Sequence, residues 1–133
     1  METNKINCIL LIDDDNITNY INQRLLKKLN LTENIVTTNN GDEALKFIDE
    51  YCKANNSCCP ELIFMDVNMP GMKGFDFLEE FNKLDIANRN NIRIVVVSAS
   101  SHEADKGKTE GMDLPYLTKP LTIESIKGVL EKV

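Results

Sequence analysis

Leu62-Ile63-Phe64-Met65-Asp66-Val67-Asn68-Met69-Pro70-Gly71 runs from four apolar residues into a carboxylate, then into a loop stiffened by Pro70 and loosened by Gly71 and Gly74. An apolar run this short, closed by turn-forming residues, reads as a buried strand. The same design stands nearer the N-terminus, where Ile9-Leu10-Leu11-Ile12 ends in Asp13-Asp14-Asp15. Two buried strands that each finish in acid bring their carboxylates together wherever their C-terminal ends meet. Such a cluster repels itself unless a cation sits within it. The pairing therefore predicts a hard divalent metal beside a nucleophilic carboxylate.

Around these strands the hydrophobic spacing alternates between short apolar runs and helical patterns. Residues 7–12 form the first strand. Ile17, Tyr20, Ile21, Leu25 and Leu29 recur at three- and four-residue intervals and predict the inward face of a helix over 16–29, with Asp15 as N-cap. Residues 35–37 are a short strand. Asn39-Asn40-Gly41 is a turn, after which Asp42 caps a helix with Ala44, Leu45, Ile48 and Tyr51 inward. Residues 52–60 read as a polar loop, and past the 68–74 loop Phe75, Leu78 and Phe81 predict a third helix. The stretch 92–97 is strongly strand-like, 101–111 is a weak polar helix and 116–118 is a brief strand. A closing helix over 122–132 presents Ile123, Ile126 and Leu130.

Strand and helix thus alternate five times, which predicts an α/β fold, a doubly wound (βα)5 with a parallel five-stranded sheet and helices on both faces. The 133 residues read as one domain, 1–133, with no repeat, linker or remainder for an output domain. With strand order 2-1-3-4-5, the order reverses between strands 1 and 3, and open α/β sheets bind ligands outside the carboxyl ends at that point. Those two strands are the ones that end in Asp13-Asp14 and in Asp66.

Hydrophobic residues at 42% and charged residues at 27% are the balance of an ordinary globular protein. A net charge of −6, from 15 basic and 21 acidic side chains, argues against a broad surface for nucleic acid or anionic lipid. No apolar run reaches the length of a membrane span, and Met1-Glu2-Thr3-Asn4-Lys5 begins no signal-peptide core, so a cytoplasmic protein is expected. Cys8, Cys52, Cys58 and Cys59 contain no C-x-x-C, and the one histidine, His102, is remote. Reduced thiols are therefore expected rather than a zinc or redox site, with some risk of oxidation at Cys58-Cys59.

The strand-end rule gathers two further groups. The fourth strand ends at Ser98-Ala99, with a hydroxyl, and the fifth at Lys119-Pro120, with an ammonium. Metal-binding carboxylates, one hydroxyl and one lysine about a single aspartate are what phosphoryl transfer requires. Metal and lysine neutralise the phosphoryl oxygens while the aspartate attacks in line.

Taken in order, 9–15, 62–74, 95–99 and 116–120 resemble the receiver domain of two-component response regulators, above all the stand-alone, chemotaxis-regulator-like receivers. The resemblance spans the whole chain. It implies a flavodoxin-like fold that accepts a phosphoryl group from a phosphohistidine and switches protein–protein interactions. Its only chemistry would be self-phosphorylation and slow hydrolysis of the aspartyl phosphate, so no enzyme is implied. Asp66 would be the phosphoacceptor. Asp14, Asp66 and the backbone carbonyl of Asn68 would ligate one Mg2+, with Asp13 acting through metal-bound water. Lys119 would pair with the acceptor carboxylate and then with the phosphoryl group. Ser98 matches the switch hydroxyl, and Tyr116 the aromatic that turns inward with it. A cis Lys119-Pro120 peptide that aims the lysine is also implied.

The implied partners are a histidine kinase or histidine phosphotransfer protein and a downstream protein target. The exposed side of the first helix (Asn19, Asn22, Gln23) would be the docking surface. The chain would be a monomer or a weak dimer through the face of the fourth helix, fifth strand and last helix. Some positions depart from the common pattern. Ser98 keeps the hydroxyl of the usual threonine and loses its methyl, the 52–60 loop is longer than in minimal receivers, and Leu114-Pro115 replaces more usual acidic or small residues. Asn68 and Ser100, at positions tied to phosphoryl lifetime, present no strong block to hydrolysis.

A phosphorelay intermediate that passes the group to a second histidine is the alternative within the family. A phosphatase of haloacid-dehalogenase type would place a second aspartate two residues after the nucleophile, where this chain has Asn68, a poor proton donor. A flavodoxin-like electron carrier would need a Ser/Thr/Gly-rich loop after the first strand, where three aspartates repel FMN phosphate. Taken singly, the features have plainer readings: Asp15 as a helix cap, Asp66 as a turn residue, Tyr116 as a static core aromatic, His102 as an exposed side chain. Their coincidence at the strand ends carries the functional reading.

Overall fold

The computed structural model describes residues 6–53, 59–67, 74–86, 91–98 and 114–131. Strands β1 (Ile9–Ile12), β2 (Ile35–Thr38), β3 (Leu62–Asp66), β4 (Arg93–Ser98) and β5 (Tyr116–Thr118) form one parallel sheet of order β2-β1-β3-β4-β5, the order expected from the sequence. The helices are α1 (Asn16–Leu29), α2 (Gly41–Lys53), α3 (Gly74–Asn82) and the C-terminal α4 (Ile123–Leu130). The helix expected over 101–111, with His102, lies outside the described residues, as do Asn68 and Ser100. Among the described residues no helix is long and apolar enough to cross a membrane.

Side-chain alternation divides the strands between two cores. Leu10, Ile12, Ile63, Met65, Ile94 and Val96 pack with Ala44 and Ile48 of α2 and Phe77, Leu78 and Phe81 of α3. On the other face Ile9, Leu11, Leu62, Phe64, Val95 and Val97 pack with Leu26 of α1 and Ile126 and Val129 of α4. Phe77 is fully buried, and burial of such a side chain contributes roughly 1.5–3 kcal/mol. Its neighbours Leu78 and Phe81 are buried as expected, while the side chain of Phe75 lies outside the described residues. A reciprocal capping box starts α4: Thr122 Oγ1 accepts from the Ser125 N–H at 3.0 Å and Ser125 Oγ from the Thr122 N–H at 2.9 Å.

Three expectations are corrected. Spacing put Ile17, Tyr20 and Ile21 inward on α1, yet they are 69%, 58% and 51% exposed, and Asn19, Asn22 and Leu26 are buried instead. The helix is rotated because Asn19 bonds the ends of two strands, a demand that apolar periodicity does not register. The α2 cap is Asn40, not Asp42: Asn40 Oδ1 accepts from the Glu43 N–H at 2.8 Å, and Asp42 sits in the first turn. Cys52 and Cys59, expected as thiols, form a disulfide. The end of α2 and the approach to β3 bring their Cα atoms to 4.6 Å, inside the range that permits the bond. Cys8 sits buried just ahead of β1, which begins at Ile9, and Cys58 is outside the described residues.

Candidate functional site

The alternation that fills the core also aims the acids. Along β1 it carries Ile9, Leu11 and then Asp13 to one face, and along β3 Leu62, Phe64 and then Asp66 to the same face. Ile12 pairs with Met65, so the two acids follow in step. Both are only 4% exposed. Asp14, next in the chain, is exposed, and one oxygen from each of the three carboxylates lies within 4.8 Å of the others. Backbone bonds hold these strand ends together: the Asp13 N–H donates to Thr38 at 3.1 Å and the Val67 N–H to Val97 at 3.0 Å.

Lys119 follows β5 directly. Its backbone N–H donates to the Ser98 carbonyl at 2.8 Å, and its peptide bond to Pro120 is cis, as the resemblance implies. Its Nζ lies 2.6 Å from Asp13 Oδ2 and 3.2 Å from Asp66 Oδ2. Burial pulls the ammonium downward. The hydrogen bond to Asp13 and the fields of Asp66 and Asp13 outweigh that pull and hold it above the ordinary lysine value of 10.5. It is therefore a standing cation at neutral pH. Three carboxylates facing one ammonium leave an excess of two negative charges, and every ligand atom is a hard oxygen. That donor set fits a divalent ion of the Mg2+ kind.

Asp15 belongs to the helix. Its side chain accepts from the Thr18 hydroxyl at 2.7 Å and the Ile17 N–H at 3.1 Å, and these bonds hold its carboxyl below the usual aspartate value. Ser98 closes β4, fully buried, opposite Thr118 of β5. Tyr116 is partly buried against the core on the α2–α3 side. The structure thus brings Asp13, Asp14, Asp66 and Lys119 into one cluster, with Ser98 and Tyr116 on the adjoining strands.

Sequence reasoning placed Asn19 on the exposed, docking side of the first helix and missed its link to the acid cluster. This residue is buried, and its Nδ2 donates to the Asp13 carbonyl at 3.0 Å and the Thr38 carbonyl at 3.2 Å. The available signal was an asparagine inside a helix, where it is a poor helix former unless it bonds something beyond that helix.

Residues 9–131 match the family described as the response regulator receiver domain. Two-component response regulator 24 of Arabidopsis thaliana is 32% identical over 124 residues, which cover 93% of this chain and 81% of that one. A solved two-component response regulator from Cytophaga hutchinsonii superposes with a TM-score of 0.85 at 29% identity, covering 96% of each chain. The receiver domain of the histidine kinase CKI1 from Arabidopsis thaliana, complexed with Mg2+ and BeF3-, has the same fold at a TM-score of 0.80 and 22% identity, covering 94% of this chain and 87% of that one. Sheet order, acid cluster and a match over nearly the whole length agree, and the chain belongs to the response regulator receiver domain family of two-component signalling.

Proposed function

We propose that this receiver takes a phosphoryl group onto Asp66 from the phosphohistidine of a histidine kinase or histidine phosphotransfer protein, with one Mg2+, and that the acyl phosphate changes its affinity for a downstream protein. The observation that carries this reading is the Lys119 ammonium shared between the buried carboxylates of Asp13 and Asp66 at the carboxyl ends of β1 and β3. An Asp66 carboxylate oxygen attacks the phosphorus in line. The donor's phosphorus–nitrogen bond breaks, and its electron pair stays with the imidazole. Lys119, 3.2 Å from Asp66 Oδ2, is within reach of a phosphoryl group built on that carboxylate and offsets its charge.

Asp14, Asp66 and the backbone carbonyl of Asn68 would hold the ion, and Asp13 would act through water. Bound there, Mg2+ supplies positive charge against the phosphoryl oxygens. Ser98 turns its hydroxyl toward the new group and Tyr116 moves inward, which alters the face that β5 presents to a partner. The donor docks over α1. Ile17, Tyr20 and Ile21 are the exposed large apolar side chains among the described residues, and they share one i, i+3, i+4 face beside Asp14. Of the docking residues first expected, Asn19 and Asn22 are buried and Gln23 is partly buried.

The test is intact mass after incubation with Mg2+ and acetyl phosphate, alongside Asp66→Asn. The wild type gains one hydroxylamine-labile phosphoryl group and then loses it with time, while the variant keeps the far-UV circular dichroism of the wild type and gains none. Undiminished labelling of Asp66→Asn would remove Asp66 as the acceptor.

A further inference from the structure

Asn19 carries a polar carboxamide at a position only 3% exposed. Burial of such a group is unfavourable unless its hydrogen bonds are made. Both hydrogens of Nδ2 are accounted for by the carbonyls of Asp13 and Thr38, so the amide ties α1 to the Asp13 backbone and to the end of β2. Asn39 Nδ2 lies 3.4 Å from the same Asp13 carbonyl, which leaves that peptide held from two sides. Oδ1 of Asn19, by contrast, is buried with no partner among the described residues.

A recess of about 10 Å3 opens beside it, between α1 and the acid cluster. Its polar lining is Asp13, Asn19, Asn22 and Asp66, with Leu11 and Phe64 as walls. A recess of this size takes one water, which needs two to four polar partners, and buried acceptors without protein partners are commonly satisfied this way.

We infer that Asn19 is a positioning residue for the acceptor site, acting through one ordered water that donates to Asn19 Oδ1 and to a carboxylate oxygen of Asp13 or Asp66. Such a water, together with the Nδ2 bond to Asp13, fixes both the backbone and the carboxylate plane of an acid that faces the ion. The inference rests on the reading of this cluster as an Mg2+-dependent phosphoacceptor. Partners that orient metal-facing groups typically contribute 10–100-fold to metal affinity.

The experiment compares wild type, Asn19→Leu, Asn19→Ala and Leu26→Ala by calorimetric Mg2+ titration and by the Mg2+ dependence of acetyl phosphate labelling. Leu26 is buried on the same helix, outside the recess, and its truncation loosens α1 without touching the acids. The Asn19 variants weaken Mg2+ binding about tenfold and raise the Mg2+ needed for half-maximal labelling to match, with the maximal rate little changed. Leu26→Ala lowers the melting temperature and leaves both constants as in the wild type. Unchanged Mg2+ affinity in folded Asn19 variants overturns the inference, as does an equal loss in Leu26→Ala. A wild type that neither binds Mg2+ nor labels overturns the underlying reading as well. A high-resolution crystal structure of the wild type decides the matter should the variants not fold: a water bridging Asn19 Oδ1 and a carboxylate supports it, and an ordered recess without one sinks it.

Discussion

Lys119 keeps two buried like charges from repelling each other, and its own charge depends on them in return. Lys119→Met keeps the stem of the side chain and removes the ammonium. The metal-free variant should lose about 2 kcal/mol in urea unfolding, less than the full cost of breaking a buried pair because the lysine side chain is still 20% exposed. Saturating Mg2+ should then raise the melting temperature of the variant by more than that of the wild type, since the uncompensated charge at the site grows from two to three. Equal Mg2+ shifts in the two proteins would show that Lys119 does not share the field of the acids. The pH dependence has a definite sign. A lysine raised above 10.5 contributes fully below that pH and loses its contribution as pH climbs through the folded value, so the advantage of wild type over variant disappears only in strongly alkaline solution. Asp15 runs the other way: lowered below 3.8, it supports the fold above that pH and releases it as pH falls through its folded value.

At the scale of elements, the Cys52–Cys59 bond joins the end of α2 to the approach to β3 across a separation of 7 residues. By loop-closure entropy, a cross-link over so short a loop stabilises by about 2–3 kcal/mol. Urea unfolding with and without a phosphine reductant should show a loss of that size in the wild type and none in Cys52→Ala; identical curves for the wild type would mean that the bond does not hold these elements together. The bond also marks where sequence reading stopped. The five strands followed from short apolar runs bounded by turn-forming residues, and the gathering of Asp13, Asp66 and Lys119 from acids or a base at strand ends, because those signals are local and strong; the strand order came with the family resemblance. The pairing of Cys52 with Cys59 depends on how α2 packs against β3, which no local pattern encodes. The face of α1 was misjudged for a related reason. Asn19 satisfies carbonyls of β1 and β2, a tertiary demand that outweighs the apolar spacing of Ile17, Tyr20 and Ile21. Asn40 took the α2 cap from Asp42 by a shift of two residues, within the ordinary uncertainty of helix ends.

In the whole molecule, α1 has two sides with different surroundings. Its buried side, through Asn19, holds the Asp13 backbone; its outer side carries the exposed apolar face. Donor docking over α1, as proposed, separates recognition from the chemistry, and that separation is measurable. Ile21→Asp places a charge at the centre of the outer face, 51% exposed and away from the acids' hydrogen bonds. A small donor such as acetyl phosphate reaches Asp66 without touching that face, so its labelling rate should match the wild type. A protein donor docked there desolvates the face, and loss of an apolar contact worth about 2 kcal/mol should slow transfer at limiting donor roughly 30-fold. Rapid-quench transfer from a phosphorylated histidine phosphotransfer protein, run beside acetyl phosphate labelling, reads both rates. A parallel fall in both would tie Ile21 to the geometry of the site. Wild-type transfer from the protein donor would move docking off α1, and would leave its exposed apolar face to the downstream partner.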